Sequence, residues 1–437
     1  RDRGLRGQTP LLTNRIQSVQ RRDFLASSLA AATMLVHPAR AQTRNFDIAI
    51  IGAGLFGSAA ARHLSKTSDG VALIGPAEPE NPRSHDGVFA SHYDASRLVR
   101  IVDPDLVWGT LARRSIARFR HLEKKSGVGF FNEVGYMMVT PGGLGTDWFN
   151  FSAMREVATD LDVDIEQLND ADLEERFPFL NFTPGSGAMI QARDAGFVDP
   201  RRLIQAQQES SVAQGATLLP ETVVGMRTRA SQIEIQTQSG ETLRANRALV
   251  ATGAYTNATG LLNISLDLKI RAAMIMESEI EPNTRFAYPT TLYAKTDGAE
   301  PFWGLLMPPV RYADGHTYIK TMDGYYGEPP LEGYEALGAW MRSKGHENHH
   351  HVLQRALGEV FPSLEVRDRR FKPCLIADTT SGYPYIDMLE DRVGVVTGGN
   401  GKAAKSSDEI GHIAAEMIRK DSWPSSLPQA LFAARSG

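Results

Sequence analysis

The chain of 437 residues is 42% hydrophobic and 22% charged, with a formal net charge of −4 and a single cysteine. That length exceeds one simple core and points to two domains, while the balance is globular and excludes disordered, collagenous and multi-spanning classes. One cysteine excludes an intramolecular disulfide, so stability must come from burial.

In chain order, the first signal is Gln20-Arg21-Arg22-Asp23-Phe24-Leu25, followed by an apolar run to Val36 and an A-x-A site ending at Ala41. This is the layout of a twin-arginine signal peptide over 1–41, and its apolar run is shorter than the roughly 20 residues that cross a bilayer. Export by the twin-arginine machinery to the periplasm or beyond is expected. That route carries folded proteins, which hints at a tightly held prosthetic group. Seven arginines against two acids give the leader +5, leaving −9 on the remaining 396 residues. An acidic chain without a basic stretch is a poor nucleic-acid partner.

Phe46–Ile51 reads as an apolar strand running into Gly52-Ala53-Gly54-Leu55-Phe56-Gly57 and an Ala-rich helix to Leu64. This is G-x-G-x-x-G between a strand and a helix. Gly52 permits the turn, Gly54 lets a pyrophosphate approach the backbone, and Gly57 lets helix and strand pack closely. The helix N-terminus offers N–H groups to the anion. The next strand, Val71–Ile74, ends in Gly75-Pro76 where an acid would grip the adenosine ribose; the nearest acids are Glu78 and Glu80. Ribose recognition is therefore displaced or made by backbone. A helix is expected between Pro200 and Gly215, and strands at 217–224, 232–236 and 248–252. Val224 and Gly253, at the ends of two of these strands, are candidate cofactor contacts. A strand closing in A-T-G halfway along a chain is common in flavin-binding two-domain folds.

These motifs, in this order, resemble the amine-oxidising flavoproteins of the monomeric sarcosine oxidase group in the D-amino-acid oxidase superfamily, which includes N-methyltryptophan oxidase and pipecolate oxidase. The resemblance runs from about Phe46 to Ile418. It implies an α/β fold: a Rossmann-like FAD-binding domain from 44–130, 195–265 and 372–435, and a substrate domain on a mixed β-sheet from 131–194 and 266–371. Within Ser91-His92-Tyr93-Asp94-Ala95-Ser96-Arg97-Leu98-Val99-Arg100, it places Ser91, Ser96 and Arg97 at the flavin. It sets Arg100 on a substrate carboxylate, which the guanidinium fork suits. Lys320 would stand beside the flavin, where an ammonium stabilises charge developing on oxygen.

Trp303 replaces an aromatic hydroxyl of the family's substrate pocket and Gly324 a histidine, so sarcosine itself is not the expected substrate. Cys374, in KPCLIAD, aligns with the cysteine that carries FAD through a thioether. Gly399 and Gly401 form the turn before Lys405, the matching second carboxylate ligand; the turn is shorter than usual, which keeps Lys402 as a rival. A helix from Asp408 to Ile418 would point its N-terminus at the flavin pyrimidine.

The implied reaction is oxidation of the C–N bond of an amine or amino acid by a monomeric enzyme. Hydride leaves the carbon next to nitrogen for the flavin, the imine hydrolyses, and oxygen leaves as hydrogen peroxide. One alternative is a dehydrogenase of the same fold that passes electrons to a quinone or a protein. Another is a nucleotide-binding protein whose flavin is structural or lost. His346-Glu347-Asn348-His349-His350 fits the H-E-x-x-H pattern of zinc peptidases. Gly345 at its edge and the polar surroundings favour a solvated helix face, and no metal is expected.

Overall fold

The computed structural model describes residues 44–142, 149–282, 286–297, 302–323, 329–420 and 422–437. The expected leader at 1–41 and Gly324 lie outside the described residues.

Ile48–Ile51, Val71–Ile74 and Ala248–Val250 are unbroken apolar runs, the pattern of strands covered on both faces of a parallel sheet. They pair accordingly. Arg44–Ile51 lies parallel to both Val71–Ile74 and Thr242–Val250, and Val71–Ile74 lies parallel to Thr217–Leu219. Val393–Thr397 adds in parallel on the far side of Thr242–Val250, while Val223–Thr228, Ile233–Thr237 and Tyr385–Glu390 join as antiparallel strands. Among the described residues this first sheet has eight strands. One face packs Ile50, Leu73 and Leu249 against Ile410, Ile413 and Phe56; the other buries Ile51, Ile74 and Leu219 with Ile235.

The second sheet has nine strands among the described residues and is largely antiparallel. Its longest ladder sets Leu268–Ile280 against Asp368–Thr379, with Ala273 opposite Cys374. The domain boundary expected at 372 falls inside this ladder. Cutting there would orphan the backbone groups of a continuous strand, so the chain changes sheet only between Thr379 and Tyr385. A small third sheet pairs Arg97–Val99 and Phe131–Asn132 with Gly196–Val198.

Two expected elements are redrawn. The strand expected over 217–224 is two, Thr217–Leu219 and Val223–Thr228, and the ladder slips between Val223 and Gly225. A bulge of this kind re-aims side chains, and Val224 is turned outward, 56% exposed. The helix expected from Asp408 starts at Ala403 and runs to Lys420, which puts Lys405 in its first turn.

Four helices meet on one buried carboxylate. Asp408 of Ala403–Lys420 is 0% exposed and bonds Arg62 of Leu55–Leu64 (2.5 Å), Gln207 of Pro200–Ala213 (2.9 Å) and Arg118 of Leu106–Ser126 (2.5 Å), with His63 at 3.2 Å. Burial works against its charge, but His63 and Arg62 hold the carboxyl well below its ordinary range. Removing one partner of a buried pair costs about 3–5 kcal/mol, because the other charge is stranded. Asp408→Asn is therefore expected to lower unfolding stability by about that amount, checked by urea denaturation of the FAD-loaded protein; a loss below about 1 kcal/mol would show that the network is not structural.

Candidate active site

The turn after the first strand is closed too tightly for any residue but glycine at two positions. Gly52 has φ +115°, and a Cβ there would sit 2.3 Å from the Ala251 carbonyl oxygen; a Cβ on Gly57 would sit 1.8 Å from that of Gly52. Gly54 is different. Its φ is −80° and a Cβ would meet nothing within 4 Å, so nothing inside the protein requires glycine there. The missing Cβ opens onto a cavity of about 760 Å³, within the range of ligand sites. The helix Leu55–Leu64 starts beside it with no side-chain cap and no acid in its first turn, which leaves N–H groups for an anion.

Of the residues singled out from the sequence, Gly52, Gly54, Leu55, Phe56, Ser91, Arg97, Arg100, Gly253, Trp303, Cys374, Gly399, Gly401 and Lys405 line this cavity, as does Lys402. Gly57, Ser96, Val224 and Lys320 do not line it. Gly57 lies beneath the turn. The bulge points Val224 to solvent and gives its lining position to Val223. Ser96 is buried, and its carbonyl accepts from the ammonium of Lys320, itself only 1% exposed.

Two ionic clusters organise the walls. In the first, Asp94 accepts from Lys320 Nζ at 2.8 Å and Tyr312 Oη at 3.2 Å, with Arg97 Nη1 at 3.4 Å. Burial opposes ionisation of Asp94, yet Lys320 and Arg97 hold its carboxyl well below the usual range. Burial likewise lowers Lys320, with Asp94 working against that shift. Arg97 also reaches the cysteine, its Nη2 donating toward Cys374 Sγ at 3.6 Å.

In the second cluster, Asp103 takes Lys405 Nζ at 2.8 Å, Lys402 Nζ at 3.0 Å and Arg100 Nη2 at 3.1 Å. Asp103 lies behind the three cations and does not touch the cavity that they line. Arg100 is 1% exposed, its guanidinium rests 4.9 Å above the Tyr136 ring, and its Nε is buried without a hydrogen-bond partner. Burial lowers Lys405 to about 7, against the pull of Asp103 and with help from Arg100 and Lys402. Three cations on one carboxylate leave this corner positive and able to take an anion.

At the nucleotide end, Glu78 lines the cavity and is gripped by Arg201 through two bonds of 2.7 Å. Glu80, the other acid near the second strand, is not on the wall. His92 also faces the cavity; burial, then Arg201 and Arg97, lower it to about 3, so it is a neutral imidazole near pH 7.

Residues 47–417 match the family model DAO, described as FAD dependent oxidoreductase. The chain belongs to the DAO family of FAD-dependent oxidoreductases. This DAO-family protein is 24% identical over 385 residues to a monomeric sarcosine oxidase of Bacillus sp. (strain B-0618), covering 85% of the chain and 92% of the relative. Its fold is similar to that of NikD, an amino acid oxidase essential for nikkomycin biosynthesis (TM-score 0.73, 21% identity, 90% and 98% covered). It is also similar to that of an L-proline dehydrogenase from P. horikoshii (TM-score 0.71, 17% identity, 90% and 97% covered).

The DAO family's FAD fits the cavity on this structure's own terms. A dinucleotide needs a cradle at its pyrophosphate, and the open side of Gly54 beside an uncapped helix provides one. The wall continues to Ser91, Arg97 and Cys374, then to the Gly399–Gly401 turn and the start of the second helix.

Sequence reading missed Asp94, Asp103 and Arg201. A signal for the first two was present: D-x-x-R-x-x-R-x-x-D over 94–103 puts an acid three residues outside each arginine. In the H-E-x-x-H segment, His350 Nε2 is 2.7 Å from the Lys344 carbonyl and its ring stacks on Phe371 at 3.7 Å. No group of three or more His, Cys, Asp or Glu that could hold a metal occurs among the described residues.

Lys405 loses its proton as pH rises through about 7, so the anion corner weakens on the alkaline side. Acetate binding to the FAD-loaded enzyme, followed by flavin absorbance, is expected to fall as pH passes 7. Lys405→Met should reduce affinity below pH 7 and flatten the profile; an unchanged profile in that variant would remove Lys405 from anion binding.

Proposed function

We propose that this enzyme oxidises the C–N bond of an amine or amino acid that carries a carboxylate, with oxygen as acceptor and hydrogen peroxide as product. The observation that carries this reading is the positive corner of Arg100, Lys402 and Lys405 on the cavity wall, with Arg100 Nε buried and unpaired. The match to a relative named monomeric sarcosine oxidase supports it.

Bound FAD would supply the two-electron acceptor for the C–N bond. The chain's own residues do the rest. Arg100 and Lys405 hold the carboxylate and so fix the carbon next to nitrogen, a positioning effect worth several kcal/mol in favourable cases. The only carboxylates among the described lining residues are Glu78 and Glu221, both beside the Val71–Ile74 and Thr217–Leu219 strands. Among the described lining residues no acid is thus placed to abstract a carbon proton, which fits a neutral amine as the reactive form. Apolar side chains line the wall around Trp303 and would limit the access of water to the reacting groups.

Cys374, which lines the cavity and has its sulfur beside Arg97, is the proposed tether of the FAD. The expected twin-arginine leader supports export of the loaded protein, and a monomer is proposed, the described wall residues all belonging to one chain. A second reading, a dehydrogenase with another acceptor, draws on the position of Lys320: its ammonium is committed to Asp94 and to the Ser96 carbonyl, away from the cavity.

Anaerobic mixing with N-methyl amino acids tests the reaction. Flavin bleaching is expected, and Arg100→Ala should raise the substrate concentration needed by roughly 30-fold or more, as for loss of a charge-assisted pair. In air, one peroxide per amine oxidised is expected; bleaching without oxygen uptake would favour the second reading, and no bleaching by any amine would end the first. The tether has its own check. Acid precipitation should leave yellow colour in the pellet of the parent protein and release it to the supernatant in Cys374→Ser; release from both would exclude the bond.

A further inference from the structure

The strands Thr290–Lys295, Phe302–Leu306 and Thr317–Asp323 are neighbours in the second sheet. Their register sets Leu292 opposite Leu305, Leu305 opposite Met322, and Ala294 opposite Trp303. Side chains alternate across a strand, and Phe302–Leu306 alternates buried, half-buried, buried, half-buried, buried. The half-buried members, Trp303 and Leu305, face the cavity together with Leu292 and Met322. Leu98 and Phe149 extend the same surface, with Phe149 edge-on to Trp303 at 6.1 Å.

This surface is joined to the cation corner. Leu98, Phe149, Leu292 and Trp303 pack in one cluster with Tyr136, and the Arg100 guanidinium lies on the Tyr136 ring. A ligand whose carboxylate is held by Arg100 therefore lays its next atoms along six apolar side chains. A polar substituent placed there would shed its hydration with the Trp303 indole N–H as the one conventional hydrogen-bonding group among these six, whereas an apolar one is favoured by leaving water.

We infer that the substrate of this enzyme carries a bulky apolar group, aromatic or branched aliphatic, next to its carboxylate and amine. The inference rests on the carboxylate reading of Arg100 and Lys405 given above. It makes Trp303, Leu305 and Leu292 specificity-determining residues, which the sequence marked only at Trp303.

The test uses the FAD-loaded enzyme and three unreactive carboxylates, acetate, phenylacetate and succinate, titrated by flavin absorbance. Phenylacetate is expected to bind at least about tenfold tighter than either of the others, and Leu305→Ala should narrow that ratio. Acetate binding as tightly as phenylacetate would overturn the apolar subsite while leaving the carboxylate receptor in place. Succinate binding tightest would overturn it in favour of a second anionic group taken by Lys402. Absence of any response to all three would overturn the receptor and this inference with it.

Discussion

The buried carboxylate of Asp408, shared by Arg62, Arg118, Gln207 and His63, is the point at which the nucleotide side of the molecule is tied together. Three of the four helices it joins also present residues to the cavity: Leu55 and Phe56, Arg201 and Ile204, and Ala403 to Lys405. The network therefore fixes more than stability. It sets the angle at which one helix offers bare N–H groups beside Gly54 and another carries Lys405 to the anion corner. A buried pair is expensive to desolvate and is a weak source of net stability; here its geometry joins two parts of the cavity wall that are far apart in sequence.

The two arginines of the 94–103 segment end in different electrostatic settings although the pattern around them is symmetric. Arg97 shares Asp94 with Lys320, and the group beside Cys374 carries two cations on one acid. Arg100 shares Asp103 with Lys402 and Lys405, and that corner carries three. Both acids lie off the wall, so each acts on the cavity by gathering cations and holding their positions. The difference of one lysine makes the second corner the better place for an incoming anion, provided that Lys405 keeps its proton.

Features written in local spacing were legible in the sequence. The G-x-G-x-x-G turn depends on contacts among Gly52, Gly57 and Ala251, and the first two of these belong to the motif itself. The Val71–Ile74 strand and the Pro200 helix start also follow from short-range patterns. What local spacing did not show depended on register and distant pairing. Val224 was displaced by a bulge that no alternation rule shows in advance. The boundary at 372 fell within a strand because the ladder partner lies about a hundred residues earlier in the chain. Lys320 sits in the strand where it was expected, but Asp94 draws its ammonium away from the cavity wall. The acid–arginine spacing around 94–103 was visible; its meaning came only when Lys405 and Lys320 arrived from remote elements.

The cavity wall has a consequence for the order of events during synthesis. Its cradle is built by the first described strand and turn, yet that strand is flanked by Thr242–Val250, and the opposite wall needs Cys374, Gly399 and Lys405. Parallel pairing over such separations is slow and nearly all-or-none, since loop closure must precede the contacts that offset it. A ribosome must therefore have released almost the whole chain before any dinucleotide could meet a finished pocket. A chain truncated before Lys405 would have the phosphate turn but not the opposite wall.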